Sequence, residues 1–148
     1  MVQRVSRAWV RVDEILTGSI DKGLLVFLGV GRDDDDNDLE WVIGKVIGLR
    51  VFEDEEGRMN RSVREVDGGV LVISQFTLFG NLRKGSRPSF NRAADPEVAE
   101  KTYQRFLDGV EEQLGRSAEA GRFGANMQID AVNDGPVTIV IDSKDKRF

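Results

Sequence analysis

Strand-forming runs recur along this chain without the regular strand–helix alternation that a parallel sheet requires, and this restricts the fold more than any other feature. Ala8-Trp9-Val10-Arg11-Val12 alternates as a half-buried strand does, and Ile15 to Ile20, after the Asp13-Glu14 turn, is its hairpin partner. Leu24 to Val30 is a continuous apolar run bounded by glycines, the pattern of a buried central strand. Gly68-Gly69 introduces the β-branched run Val70-Leu71-Val72-Ile73, which leads directly into the polar Ser74-Gln75-Phe76-Thr77-Leu78. Met127 to Val132 and Val137 to Ile141 are predicted as two strands joined by a tight connection at Asn133 to Pro136.

Two segments carry helical spacing. The first follows Asp33 to Asp38, whose five acids satisfy free N–H groups at a helix start and oppose its dipole. A calcium loop fails there, because an EF-hand begun at Asp33 needs Gly at position 38 and Glu at position 44, where the chain has Asp38 and Gly44. The second helix opens at Asp95-Pro96, carries the stripe Val98, Thr102, Phe106, Val110 and Leu114, and closes at Gly115. The prediction is an α+β fold in a single domain over residues 1–148: a largely antiparallel curved sheet or partial β-barrel packed with two or three helices.

The 148 residues contain no cysteine and no histidine. No Ser-His-Asp or Cys-His nucleophile system can be assembled, disulfides are impossible, and a zinc site lacks its usual ligands. Proton transfer is left to Asp, Glu, Lys, Tyr103, water or the substrate. A net charge of −5 argues against broad nucleic-acid binding, yet residues 81–92 hold Arg83, Lys84, Arg87 and Arg92 and no acid, a local charge of +4. No apolar run reaches the length of a membrane span and no signal-peptide pattern opens the chain, so a cytoplasmic location is expected.

Four segments are candidates for chemistry. Ser74 to Leu78 places two hydroxyls, a carboxamide and backbone N–H groups at a strand end, where they hold either an oxyanion or merely neighbouring backbone. Gly135-Pro136 is either a plain turn or a special backbone element. The loop with Arg83, Lys84 and Arg87, stiffened by Pro88 and with Phe90 available for stacking, is either a solvated basic loop or a phosphate contact. Phe123 and Met127, between glycines at 121 and 124 and the next strand, are either core residues or a platform for a flat ligand.

Taken together, Ser-Gln-Phe-Thr-Leu at 74–78, Asn-Asp-Gly-Pro-Val-Thr at 133–138, Arg-Lys-Gly-Ser-Arg-Pro-Ser-Phe at 83–90 and Gly-Arg-Phe-Gly-Ala-Asn-Met at 121–127 resemble the D-aminoacyl-tRNA deacylases. The similarity extends to Gln3–Ala8, Leu24–Gly29 and Phe52–Gly57, and departs at Phe79–Leu82 and after Ser143. It implies an ester hydrolase acting on D-aminoacyl-tRNA and on glycyl-tRNA, with Ser74, Gln75, Phe76 and Thr77 as the catalytic wall. It also implies a homodimer in which Gly135-Pro136, as a cis peptide, enters the partner's site and excludes L-side chains. Arg83, Lys84, Arg87, Phe123 and Met127 are the expected tRNA contacts. The expected partners are aminoacyl-tRNA and a second copy of the chain, with no DNA, membrane, metal or cofactor. With no histidine to activate Thr77, positioning of ester and water, helped by the ribose 2′-OH, is expected rather than nucleophilic attack. Two other readings stay open: a non-catalytic module binding RNA ends or nucleotides, and a general esterase for small molecules.

Overall fold

The structure is a computed structural model that describes residues 1–146; positions 147–148, the end of the tail beyond Ser143, lie outside the described residues. The first hairpin forms as predicted, with β1 (Val2–Val12) longer than its alternating core and β2 (Ile15–Ile20) antiparallel to it. The apolar run becomes β3 (Gly23–Leu28), set between β1 and β6 (Gly69–Ser74). The remaining strands are the short pair β4 (Phe52–Glu53) and β5 (Met59–Arg61), then β7 (Glu119–Ala120) and β8 (Gln128–Ile139). Strand order in the main sheet is β2-β1-β3-β6-β7, with β8 added to β1. The β1 pairings are antiparallel, whereas β3 with β6 and β6 with β7 are parallel. The sheet curls until β7 returns to β2, where the Ser19 N–H donates to the Glu119 carboxylate at 3.1 Å. The result is the nearly closed, largely antiparallel barrel that the sequence pattern predicts.

Two helices cover one face. In α1 (Asp36–Gly48), Asp35 accepts from the Asp38 N–H while the Asp38 carboxylate accepts from the Asp35 N–H, a capping box that uses the acidic run as expected. In α2 (Pro96–Leu114) the buried side chains are Tyr103, Phe106, Leu107, Val110 and Leu114. Val98, predicted in that stripe, is exposed. At about 100° per residue the buried five occupy an arc roughly 80–180° around the axis from Val98, which therefore falls outside it. The helices seal one apolar cluster with Val2, Leu24, Val26, Val70 and Val72. A second cluster, Val5, Ala8, Val10, Ile20, Leu25, Leu71 and Ile73, fills the barrel interior. Among the described residues no helix is long and apolar enough to cross a membrane.

One prediction is corrected. The segment from Met127 to Ile141 is not two strands meeting at a turn but the single strand β8, both arms of which pair with β1. Gln3 faces Thr138 and Val5 faces Asn133, so three more residues are spent on β8 than on β1 across that interval. Gly135-Pro136 occupies this bulge. Proline has no N–H for the ladder, and Gly135 sits at φ +123, so the chain bows out without reversing.

Candidate active site

Ser74 ends β6 opposite Leu28, and the Gln75 N–H donates to the Leu28 carbonyl at 2.7 Å, which fixes where the sheet stops. The chain then tightens into a 3₁₀ turn over Phe76–Phe79 with no side-chain cap from Gln75. The first N–H groups of such a turn, here Phe76 and Thr77, have no acceptor within it. The Gln75 amide donates to Thr77 Oγ1, and the Gly80 N–H to the Thr77 carbonyl at 3.0 Å. Gly29 permits this close approach, since a Cβ there meets Phe79 Cε2 at 3.1 Å and the Gln75 carbonyl at 3.2 Å. Phe76, Thr77 and Leu78 all remain exposed. The wall is thus a row of polar groups and apolar side chains facing outward from a rigid strand end.

The bulge is built by a residue the sequence reading did not assign. Arg4 is 8% exposed, and its guanidinium donates to the Val51 carbonyl at 2.6 Å and the Asp134 carbonyl at 3.2 Å, with the Asp134 carboxylate 3.4 Å away. The Asn133 amide, oriented by its partners, donates to the Arg4 carbonyl at 2.9 Å and the Val137 carbonyl at 3.3 Å, and accepts from Thr138 at 3.3 Å. Gly135 is hemmed in: a Cβ there lies 2.9 Å from Val137 Cγ2 and 3.0 Å from both Arg4 Nη2 and the Val137 nitrogen. The Gly135-Pro136 peptide is cis. Arg4 shares a strand face with Val2, so an arginine at a core-facing position was the available signal.

Within one chain the wall and the bulge do not meet. Arg4 faces Leu24 while Ser74 faces Leu28, an offset of four residues or roughly 13 Å along the strands. The bulge on β8 and the wall after β6 are also separated by β1 and β3.

Residues 81–89 form a closed loop, with Asn81 and Ser89 exchanging hydrogen bonds of 2.9 and 3.0 Å and the Asn81 side chain accepting from the Arg83 N–H at 2.9 Å. Arg83, Lys84 and Arg87 are exposed at its tip. Phe90 is not a free stacking surface. Its ring meets Phe76 edge-on, centroids 5.1 Å apart at 76°, so the loop's base leans on the wall.

After β7 the Gly121 N–H donates to the Val72 carbonyl at 3.3 Å, carrying the next residues past the end of β6 toward Ser74. Phe123 there is half-buried and tilted against Tyr103, centroids 5.9 Å apart. Met127 packs on the barrel cluster. Both therefore serve packing while keeping part of their surface open. Tyr103 is removed from the list of proton donors: burial pushes its hydroxyl up to about 12, and it donates to the Val72 carbonyl at 2.9 Å. No imidazole exists and the phenol is held in the core, so neither group is available to activate Thr77.

A protein of Opitutus terrae named D-aminoacyl-tRNA deacylase is 61% identical over 143 residues, covering 97% of this chain and 95% of its own. One of the same name from Thermotoga petrophila is 54% identical over 143 residues with the same coverage. Among solved structures, one described as c-Myc DNA Unwinding Element Binding Protein is 41% identical, with a TM-score of 0.89 and 93% of both chains covered. Another, a probable eukaryotic D-amino acid tRNA deacylase, shares the fold at TM-score 0.75 with 19% identity, covering 91% of this chain and 93% of that one. The sequence model described as D-Tyr-tRNA(Tyr) deacylase matches residues 1–142, taking in the wall, the basic loop and the bulge, and the chain belongs to that family.

Proposed function

We propose that the chain hydrolyses the ester between a D-amino acid, or glycine, and the 3′ end of tRNA, releasing the free amino acid and reusable tRNA. The observation that carries this is the similarity to proteins named D-aminoacyl-tRNA deacylase, 61% identical across 97% of the chain and so through both motif segments.

The site is completed by a second copy. Gly135-Pro136 of one chain faces the Ser74–Leu78 wall of the other, since one chain holds the two segments apart. The outer edge of β8, twelve residues long and paired on one side only among the described residues, suits such an assembly. The backbone of Gly135 and Pro136, clamped by Arg4, fills the space that an L-side chain needs, so rejection is steric. Ser74, Gln75 and Thr77 hold the aminoacyl group. The Phe76 N–H stabilises charge developing on the carbonyl oxygen as water adds to the carbonyl carbon. The 3′-oxygen of the ribose departs with a proton, assisted by the neighbouring 2′-OH. Arg83, Lys84 and Arg87 take phosphates of the acceptor end, and the open parts of Phe123 and Met127 take its terminal base. Aminoacyl-tRNA as substrate places the protein in the cytoplasm. A DNA-binding role like that in the name of the 41%-identical structure has the net charge of −5 against it.

The test is purified protein with D-Tyr-tRNA and L-Tyr-tRNA. Hydrolysis of the D form alone is expected. Binding without turnover overturns the enzymatic role in favour of an RNA-end module, and equal hydrolysis of both forms overturns the chirality filter.

A further inference from the structure

Phe76 is 55% exposed on the 3₁₀ turn that follows β6, so few neighbours restrain its ring. One that does is Phe90, edge-on at 5.1 Å. Phe90 also borders the far end of the same turn, since a Cβ on Gly80 lies 3.5 Å from Phe90 Cε1. On its amino side it follows the double hydrogen bond between Asn81 and Ser89 that closes the basic loop. On its carboxyl side the chain is pinned to the exit of β3: Ala93 bridges Gly31, the Arg32 N–H donates to the Arg92 carbonyl at 2.9 Å, and the Ala94 N–H to the Val30 carbonyl at 2.9 Å. Phe90 is therefore fixed from behind, tied to the loop in front, and in contact with the wall.

We propose that Phe90 is a positioning residue that couples phosphate docking on Arg83, Lys84 and Arg87 to the placement of Phe76 at the scissile ester. The proposal rests on the deacylase reading of the wall. A displaced Phe76 moves its own backbone N–H, and misplacement of a positioning group by about 1 Å can cost on the order of a hundredfold in rate. Loss of the loop charges weakens docking, whereas loss of the Phe90 ring leaves docking intact and uncouples it.

Two measurements test this, one independent of turnover. The first is NMR of ring-labelled phenylalanine in the full protein, titrated with a non-aminoacylated acceptor-stem RNA ending in CCA. The Phe76 signal shifts in the unaltered protein, stays unmoved in Phe90→Leu that still binds the RNA, and shifts again in Phe90→Tyr. The second is deacylation of D-Tyr-tRNA, where Phe90→Leu lowers kcat about tenfold with KM changed less than about twofold, and Phe90→Tyr restores kcat. A Phe76 shift that persists in Phe90→Leu, or no Phe76 shift at RNA saturation in the unaltered protein, overturns the proposal. So does a Phe90→Leu loss confined to KM. Failure of the unaltered protein to cleave D-Tyr-tRNA counts against the deacylase reading instead, and the NMR arm still decides the coupling.

Discussion

Gly135→Ala perturbs the bulge at a defined point. Its φ of +123 lies where an L-residue is strained, costing about 1–3 kcal/mol. The added methyl also lies 3.0 Å from the Val137 nitrogen and 3.0 Å from Arg4 Nη2. The nitrogen cannot move without its backbone, and Arg4 is held by the Val51 carbonyl, so the bulge must shift by a few tenths of an ångström. Together these terms amount to about 2–4 kcal/mol, within the 5–15 kcal/mol typical of a domain, so the variant still folds. Urea unfolding measures the first effect. Single-turnover deacylation of D-Tyr-tRNA and L-Tyr-tRNA measures the second, and the D-to-L rate ratio should fall at least about tenfold, equivalent to about 1.4 kcal/mol of discrimination. A folded variant, destabilised by that amount, that keeps the full D-to-L ratio would refute the assignment of chiral exclusion to this backbone.

Arg4→Met keeps the apolar stem but leaves the Val51 carbonyl without its donor, so urea unfolding should report a loss of about 2–3 kcal/mol, with the D-to-L ratio falling as for Gly135→Ala. Charge reversal at Arg83 and Lys84 should raise KM for D-aminoacyl-tRNA at least about tenfold and flatten its dependence on salt, while sparing a small aminoacyl ester; equal loss on both substrates counts against a phosphate-docking loop. Burial acts to raise the Asp38 carboxyl but is outweighed by hydrogen bonds from Lys144, the Asp35 backbone and Ser143, leaving it at about 2. A depressed carboxyl stabilises the fold fully above its ordinary value of 3.8 and stops doing so as pH falls through about 2. Lys144→Met should therefore lower the urea midpoint by an amount worth about 1 kcal/mol or less above pH ~4, and the difference should vanish near pH 2.

Local signals in the sequence translated well into structure. The acids at 35 and 38 cap α1 because a capping box involves only residues three apart, and Pro96 opens α2 for an equally local reason, although Asp95 before it makes no side-chain capping bond. The β1–β2 hairpin and the buried β3 were legible from alternation and apolar runs. What was not legible depended on partners far away in sequence. Asn133 to Pro136 has turn composition, and only the pairing of both flanks with β1 makes it a bulge. Tyr103 counts as a proton donor in a composition, but its contact with the Val72 carbonyl, 31 residues away in sequence, takes it out of the chemistry. Arg4 reads as an ordinary strand residue until Val51 and Asp134 surround it. Phe90 reads as a stacking surface until Phe76 is found against it.

The most direct measurement compares the loss of one hydroxyl in the protein with the loss of one in the substrate. Thr77 carries a hydroxyl held by the Gln75 amide, and the chain has no histidine to activate it, so Thr77→Ala should retain at least about a tenth of kcat on D-Tyr-tRNA. D-Tyr-tRNA ending in 2′-deoxyadenosine, given to the unaltered enzyme, should lose on the order of a hundredfold or more. Abolition of activity in a folded, tRNA-binding Thr77→Ala protein, with the 2′-deoxy substrate cleaved normally, would show that the wall attacks the ester instead of positioning it.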